Sequence, residues 1–162
     1  MVAISTYKAF WEYMATVITA IDLVYIVHEE SDLAAVIRDI DAGSVILFAV
    51  IPSADVEATS VDDYEEIDSC FVFVVKKSDR GSLTHDEFLA ELEVTQGIII
   101  DVKQKMIELA GDTDHCLDTG SYSHLMHRLF INGMHTDPEY NLLGCNGWGL
   151  SFRLKTKGLE TT

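Results

Sequence analysis

The residue types that most often carry chemistry are concentrated between positions 112 and 145. One cluster of carboxylates, a histidine and a thiol comprises Asp112, Asp114, His115, Cys116 and Asp118. Oxygen ligands at alternating positions can hold Ca²⁺, but the EF-hand loop also requires a glycine at its sixth position and a glutamate at its twelfth. The corresponding residues here are Leu117 and Ser123. The cluster therefore predicts a solvated loop that follows a helix.

Three further histidines, His124, His127 and His135, raise the possibility of zinc, with Cys116 or Cys145 as additional ligands. On a strand, positions 124 and 127 point to opposite faces. Structural zinc sites also usually draw on ligand pairs that are closer in sequence. We therefore expect no metal and no cofactor. A small cytosolic enzyme or metal-binding domain that uses residues 112–145 is the alternative function.

His28 lies among the acidic residues Glu29, Glu30 and Asp32, an arrangement that can support a general base. Because His28 also prolongs an apolar stripe, we interpret it as a core or interface residue. The sequence contains no nucleophile elbow, no P-loop and no GxGxxG motif. The residues alone therefore show no catalytic motif.

Charge is the most pronounced feature of the composition. Eleven Lys and Arg against 27 Asp and Glu give a net charge of −16, which disfavours nonspecific binding to nucleic acid or to an anionic membrane. No apolar run reaches the ~18 residues of a membrane span, and three cysteines without a CxxC pair fit a reducing compartment. We expect synthesis in the cytoplasm. The charge indicates either simple solubility or an acidic surface that lies near DNA without holding it.

Three helices are predicted. Apolar residues at spacings of four and three from Phe10 to His28 predict an N-terminal helix, and residues 33–43 predict a short second helix with its stop. Thr84 and Glu87 form a capping-box pattern. The apolar stripe that follows predicts one long helix over 84–111.

Four strands are predicted. The runs 45–51 and 67–75 are apolar at odd and even positions alike, which is typical of strands covered on both faces. A third strand is expected at 125–131. From Trp148 to Lys155, apolar and polar residues alternate with a period of two, which predicts a final strand with one buried face. The pattern favours an α+β fold: a mostly antiparallel four-stranded sheet with the long helix and the N-terminal helix packed on it.

The length fits one α+β domain spanning residues 1–162. Three segments are expected outside its core: an exposed acidic loop at 53–66, a long connection at 132–146 and a polar tail at 158–162. The acidic loop contains six candidate residues for a docking surface or for the wall of a channel, which are Glu57, Asp62, Asp63, Tyr64, Glu65 and Glu66.

The chain also has more apolar surface than one small sheet and two helices can easily cover. This excess predicts a subunit interface, although a compact core with helices on both sheet faces is an alternative. The candidate interface residues are Trp11, Ile18, Tyr25, Phe48, Phe71 and Phe73.

The order of the predicted elements carries a resemblance over most of residues 5–157. Its parts are the aromatic helix start Phe10-Trp11, the strand end Ile51-Pro52, the strand Phe71–Val75, the long acidic helix from Thr84 and the closing GWGLSFRLK strand from Gly147. Together they resemble the tail-terminator, tail-completion and head–tail joining proteins of tailed bacteriophages, especially phages of Bacteroidetes hosts. The connection at 132–146 has no counterpart in this pattern.

The resemblance implies an α+β structural protein of the virion, without catalytic residues, that forms a ring around the DNA channel. The implied partners are further copies of the chain and other neck or tail proteins, with DNA passing nearby without specific binding and no membrane. The implied location is the virion, after synthesis in the host bacterial cytoplasm.

Overall fold

The computed structural model describes residues 1–28, 30–58, 64–78, 83–112 and 122–156. The helices are α1 (Ile4–Val17), α2 (Glu30–Arg38), α3 (His85–Gly111) and α4 (Ser123–Met126), and a single 3₁₀ turn spans Ile131–Gly133. The strands are β1 (Leu23–Val27), β2 (Val45–Ala58), β3 (Tyr64–Lys77), β4 (His135–Leu142) and β5 (Cys145–Lys155). The predicted α+β class is confirmed.

The sheet has five strands in the order β1-β2-β3-β5-β4. β1 is parallel to β2, and the other neighbouring pairs are antiparallel. The sheet is mostly antiparallel, as predicted, but it has five strands instead of four. One pair is parallel, and each edge has a strand that the sequence pattern did not indicate.

β1 occupies the second half of the helix predicted from Phe10 to His28. The helix ends at Val17, and Leu23–Val27 pairs with β2 instead, from Leu23 opposite Ile46 to Val27 opposite Val50. Four of the five β1 residues, at 24–27, are β-branched or aromatic, which favours a strand. Before β1, the Asp22 carboxylate accepts a hydrogen bond of 2.8 Å from the Val45 amide, which ties the two strands at their start.

β4 corrects two predictions together. The expected strand at 125–131 contains the end of the short helix α4, and the expected connection at 132–146 contains β4. β4 is polar and includes Pro138, which suits an edge strand because proline cannot donate to a further ladder. Leu143 and Gly144 form the two-residue turn to β5, with φ of 54° and 86°. Positive φ at both positions is what such a hairpin turn requires.

The predicted acidic loop at 53–66 is largely strand. The ladder between β2 and β3 continues from Ser53 opposite Ser69 to Ala58 opposite Tyr64. A register shift between Val50 and Ser53 surrounds Pro52, because a bulge accommodates a residue without an N–H group. Residues 59–63 and the tail at 158–162 lie outside the described residues.

The first face of the sheet packs against α1 and α3 to form the main core. The predicted alternation of β5 is confirmed there, since Leu150, Phe152 and Leu154 are buried and Arg153 is exposed. The predicted long helix is also confirmed. α3 spans 27 residues, and Thr84 and Glu87 make both hydrogen bonds of a capping box.

The second face is covered at one end by α2. Leu33 and Ile37 of α2, and Ile40 just after it, pack in one cluster with sheet residues that include Ile46, Phe48, Val75 and Cys145. The Lys77 ammonium donates to the carbonyls of Ile37, at 2.8 Å, and of Ile40, which satisfies groups at the end of α2. α2 does not cover the remainder of this face, where Phe71 is exposed.

Candidate functional site

The second sheet face carries a row of aromatic side chains that runs across the strands. Tyr25, Phe48 and Phe73 are register neighbours on β1, β2 and β3, and Phe73 is opposite Gly149 on β5. The rings of Tyr25 and Phe48 stack with centroids 5.9 Å apart and planes at 26°. α2 packs over Phe48, in the middle of this row. Phe71, two residues from Phe73 on β3, is 46% exposed. We call this uncovered region, formed by Phe71, Phe73, Gly149, Ser151 and the facing residues of β4, the open sheet face.

Gly149 lies where two side chains converge. A Cβ atom on Gly149 would lie 3.1 Å from Cε1 of Phe73 and 3.2 Å from Oε1 of Glu139, closer than ordinary van der Waals contact. The absence of a side chain therefore lets an aromatic ring edge and a carboxylate occupy the same part of β5. This arrangement places a negative charge directly beside the apolar surface.

Three titratable residues of β4 form the rim of the open sheet face. His135, Asp137 and Glu139 alternate along β4 and are opposite Ser151, Gly149 and Gly147, respectively. His135 Nε2 lies 2.9 Å from Asp137 Oδ2, and both side chains are exposed. The pKa of Glu139 is raised by partial burial first and by the nearby Asp137 carboxylate second. The rim is therefore acidic, with one carboxylate that gains no compensation from a cation.

A shallow cavity of about 230 Å³ lies between this rim and the aromatic residues. Its wall is formed by Phe71 and Phe73 on one side and by His135, Asp137 and Glu139 on the other. Beyond it, Arg153 and Lys155 both lie over the Phe130 ring, at 5.2 and 5.1 Å from its centroid. The two cations of β5 thus contact Phe130 and do not line the cavity, so they do not neutralise its acidic rim.

A second apolar surface lies on the outside of α3. Leu89, Ile100 and Ile107 recur at spacings of eleven and seven, which puts them on one side of a helix. Leu89 is 48% and Ile100 53% exposed. Lys103 lies beside Ile100 and Ile107 in the same shallow groove. We call these four residues the outer α3 stripe.

The two surfaces lie on opposite sides of the sheet. α3 contributes Ile99, Val102 and Met106 to the core on the first face, so its outer stripe points away from the sheet. The open sheet face belongs to the second face and points in the other direction. One chain therefore presents two different uncovered apolar surfaces, one at each side.

The structure distributes the candidate interface residues unequally. Trp11 and Phe48 are completely buried within the chain, and Ile18 is buried with Trp11 in the first-face core. These three side chains present almost no surface to another subunit. Tyr25 is half-buried in the aromatic row, and only Phe71 and Phe73 contribute to the open sheet face.

The acidic residues predicted for docking or for lining a lumen lie at the far end of the β2–β3 hairpin. Glu57 lies 3.8 Å from Arg153, Glu65 2.7 Å from Lys155 and Glu66 2.6 Å from the Met1 amine. Part of their charge is therefore balanced within the chain. Tyr64 begins β3, and Asp62 and Asp63 lie outside the described residues.

The described His and Cys residues between positions 112 and 145 lie on different elements. His124 and His127 belong to α4 and its end, whereas His135 lies on β4 beside Asp137. Cys145 is buried, and burial raises the pKa of its thiol to about 11 despite the nearby Lys77. Asp114, His115, Cys116 and Asp118 lie outside the described residues. Among the residues that are described, no group of three or more His, Cys, Asp or Glu is arranged to hold a metal ion.

Sequence reasoning missed Asp137, Glu139 and the outer α3 stripe. The alternation of His135, Asp137 and Glu139 was a period-two signal, but Pro138 favoured a loop interpretation. Leu89, Ile100 and Ile107 formed a second stripe on the long helix that was obscured by the stronger core stripe. The sequence thus contains both the alternation of β4 and the second stripe of α3, but Pro138 and the core stripe are the stronger features at those positions.

Comparisons with protein-family models, with curated proteins and with solved structures found no match to this chain. None of the described helices, α3 included, combines the length and the apolar character needed to cross a bilayer. The function is therefore inferred from geometry and charge.

Proposed function

We propose that this protein is a structural, non-enzymatic subunit of a tailed-bacteriophage virion. It assembles with further copies into a ring around the DNA channel, at the head–tail junction or at the tail terminus, and contacts other neck or tail proteins there. The observation that carries this proposal is the pair of uncovered apolar surfaces on opposite sides of one chain.

A ring requires two different surfaces on each subunit. In a head-to-tail assembly, one surface of a subunit contacts the other surface of its neighbour, and the set closes when the rotation between neighbours allows it. The open sheet face and the outer α3 stripe are two such surfaces. Apolar residues that lie side by side at the surface, as Phe71 does with Phe73 and Ile100 with Ile107, mark protein contacts more often than the same residues scattered singly.

The charge of the chain supports a location beside DNA. With a net charge of −16, the protein gains no counterion-release affinity for phosphates, so DNA can pass a ring of these subunits without being held. The order α1, β2, β3, α3 and β5 also agrees with the element order on which the resemblance to phage tail-terminator and head–tail joining proteins is based.

The oligomeric state tests this proposal. Purified protein should elute and scatter light as a hexamer or a larger species at high concentration, and negative-stain images should contain rings. Phe71→Ser should weaken assembly, because it removes the most exposed aromatic side chain of the open sheet face.

Val56→Ser is the matched control. Val56 is 66% exposed on the far part of β2 and belongs to neither apolar surface, so its replacement should leave assembly unchanged. A protein that is monomeric at every concentration tested and forms no ring on virions contradicts the proposal. Retarded migration of double-stranded DNA at physiological salt would contradict the role assigned to the charge.

A further inference from the structure

We propose that the outer α3 stripe of one subunit docks on the open sheet face of the next subunit, with Lys103 directed toward Glu139. This inference rests on the proposed function and identifies the two surfaces that form the ring contact. The occupant of the open sheet face is thus a second copy of the same chain.

The apolar parts of the two surfaces are complementary in kind. The stripe presents aliphatic side chains, Leu89, Ile100 and Ile107, along one side of a helix. The open sheet face presents the rings of Phe71 and Phe73 beside a shallow cavity. A helix laid on a sheet with its apolar side chains against aromatic residues is a usual way to bury both surfaces.

The charged parts are complementary in sign. Lys105 pairs with Glu108 at 3.4 Å, whereas Lys103 has no ion-pair partner within the part of the chain that the structure describes. On the sheet side, His135 is engaged with Asp137. Glu139 has no cationic partner among the described residues. Lys103 on the stripe and Glu139 on the open sheet face therefore each lie next to apolar residues without an ion-pair partner among the described residues, and these two charges are opposite.

The remaining charges set the direction of the contact. Glu93 lies near the Leu89 end of the stripe, and Lys103 lies near the Ile107 end. Glu108 also lines the groove at the Ile107 end, but Lys105 pairs with it at 3.4 Å, so the charge of Lys103 is not neutralised there. The reverse orientation of α3 would bring Glu93 toward Asp137 and Glu139, which like-charge repulsion disfavours. The Lys103 end of α3 therefore lies against β4.

We take a second copy as the occupant because the same chain carries both the aromatic face with Glu139 and an aliphatic stripe with the oppositely charged Lys103. The net charge of −16 opposes association of two copies at long range, so a contact needs a local pairing of opposite charges. Lys103 supplies the cation on α3. Arg153 and Lys155 are already engaged by Glu57 and Glu65, respectively.

A charge exchange tests the contact. Lys103→Glu and Glu139→Lys, each alone, should raise the concentration needed for half-assembly by about tenfold, because each places like charges at the contact. The double variant should restore assembly to nearly that of the unmodified protein. Lys8→Glu is the matched control, since Lys8 pairs with Glu12 on its own helix, 2.8 Å away, and belongs to neither surface.

A cross-link gives a second readout. Chains with Ile100→Cys and chains with Phe71→Cys, both carrying Cys116→Ser, are mixed and oxidised. A disulfide between the two variants is expected. A mixture of Ile100→Cys and Val56→Cys chains should give no such product. Urea denaturation of each variant monitors folding.

Each result has a definite meaning. Rings without any effect of Lys103→Glu or Glu139→Lys, and without the cross-link, overturn this contact and leave the proposed function intact. Loss of assembly in Glu139→Lys alone indicates a different, basic partner on the open sheet face and overturns the contact as well. Two weakened single variants that are not rescued by their combination overturn the Lys103–Glu139 pairing. An unmodified protein that never assembles overturns the proposed function together with this inference.

Discussion

The ring of Phe73 lies against Gly149, so close that a Cβ atom at Gly149 would be 3.1 Å from Cε1 of the ring. The two residues are register partners on β3 and β5, and the carboxylate of Glu139 reaches the same position from β4. An aromatic edge, a glycine and a carboxylate from three adjacent strands thus form the centre of the open sheet face. A change at Gly149 should therefore affect both the stability of the sheet and the position of the Glu139 carboxylate on the open sheet face.

Gly149→Ala should destabilise the protein by about 1 kcal/mol, because the Phe73 ring edge and the Glu139 carboxylate must both shift to admit the new Cβ. Gly97→Ala is the matched control. No atom lies within 4 Å of a Cβ at Gly97, which is in the interior of α3, so this change should stabilise by about 0.5–1 kcal/mol. Urea melts measure both values, and an unchanged stability of Gly149→Ala would contradict the convergence of the two side chains.

Trp148→Ala should cost about 3–5 kcal/mol through lost burial and the cavity that remains. Trp148 packs against the first-face core, and its Nε1 donates a hydrogen bond of 3.0 Å to the Leu92 carbonyl on α3. Ser151→Ala, on the opposite face of β5, should cost well under about 1 kcal/mol. Equal costs in denaturant melts would show that β5 is not oriented as described.

Glu139→Gln should make the protein more stable at neutral pH, under dilute conditions where assembly does not contribute. The pKa of Glu139 is raised in the folded state, so the folded chain holds this proton more tightly than the unfolded chain does. The stability contributed by Glu139 is therefore present at acidic pH and is lost as the pH rises through the folded pKa.

The advantage of Glu139→Gln should accordingly grow from acidic to neutral pH and vanish below the unfolded pKa of about 4.3. Stability curves of both proteins between acidic and neutral pH measure it. Glu93→Gln, which removes the same charge from an exposed position of α3, serves as the control. A stability advantage of Glu139→Gln that grows toward acidic pH would show that the pKa of Glu139 is not raised in the folded protein.

Lys77→Met should destabilise the docking of α2 by about 1–3 kcal/mol, because the carbonyls of Ile37 and Ile40 lose their donor. Hydrogen exchange should show the loss first in α2 and β1, since Lys77 ties the end of α2 to the sheet and α2 packs against β1. Lys8→Met, which removes an exposed lysine from α1, should leave the exchange of α2 unchanged. Uniform loss of protection across the chain would instead indicate a global effect.

Several elements could be predicted from the sequence because their signals are local. α3 has a capping box and an uninterrupted core stripe, and β5 alternates with a period of two. Both patterns result from contacts with one continuous core, so they persist whatever the neighbouring elements are. β1 and β4 could not be predicted in the same way, because Leu23–Val27 also fits a helix stripe and β4 is polar with a central proline.

The sequence by itself determined the α+β class, the long helix, the closing strand and the acidic charge. Only the tertiary structure decided which surfaces remain uncovered. Phe48 and Phe71 lie two register positions apart on the same sheet face, yet α2 buries the first and leaves the second exposed. The physical reason is that coverage depends on where a distant helix packs, and the convergence of Phe73, Gly149 and Glu139 depends on backbone pairing between strands far apart in the chain.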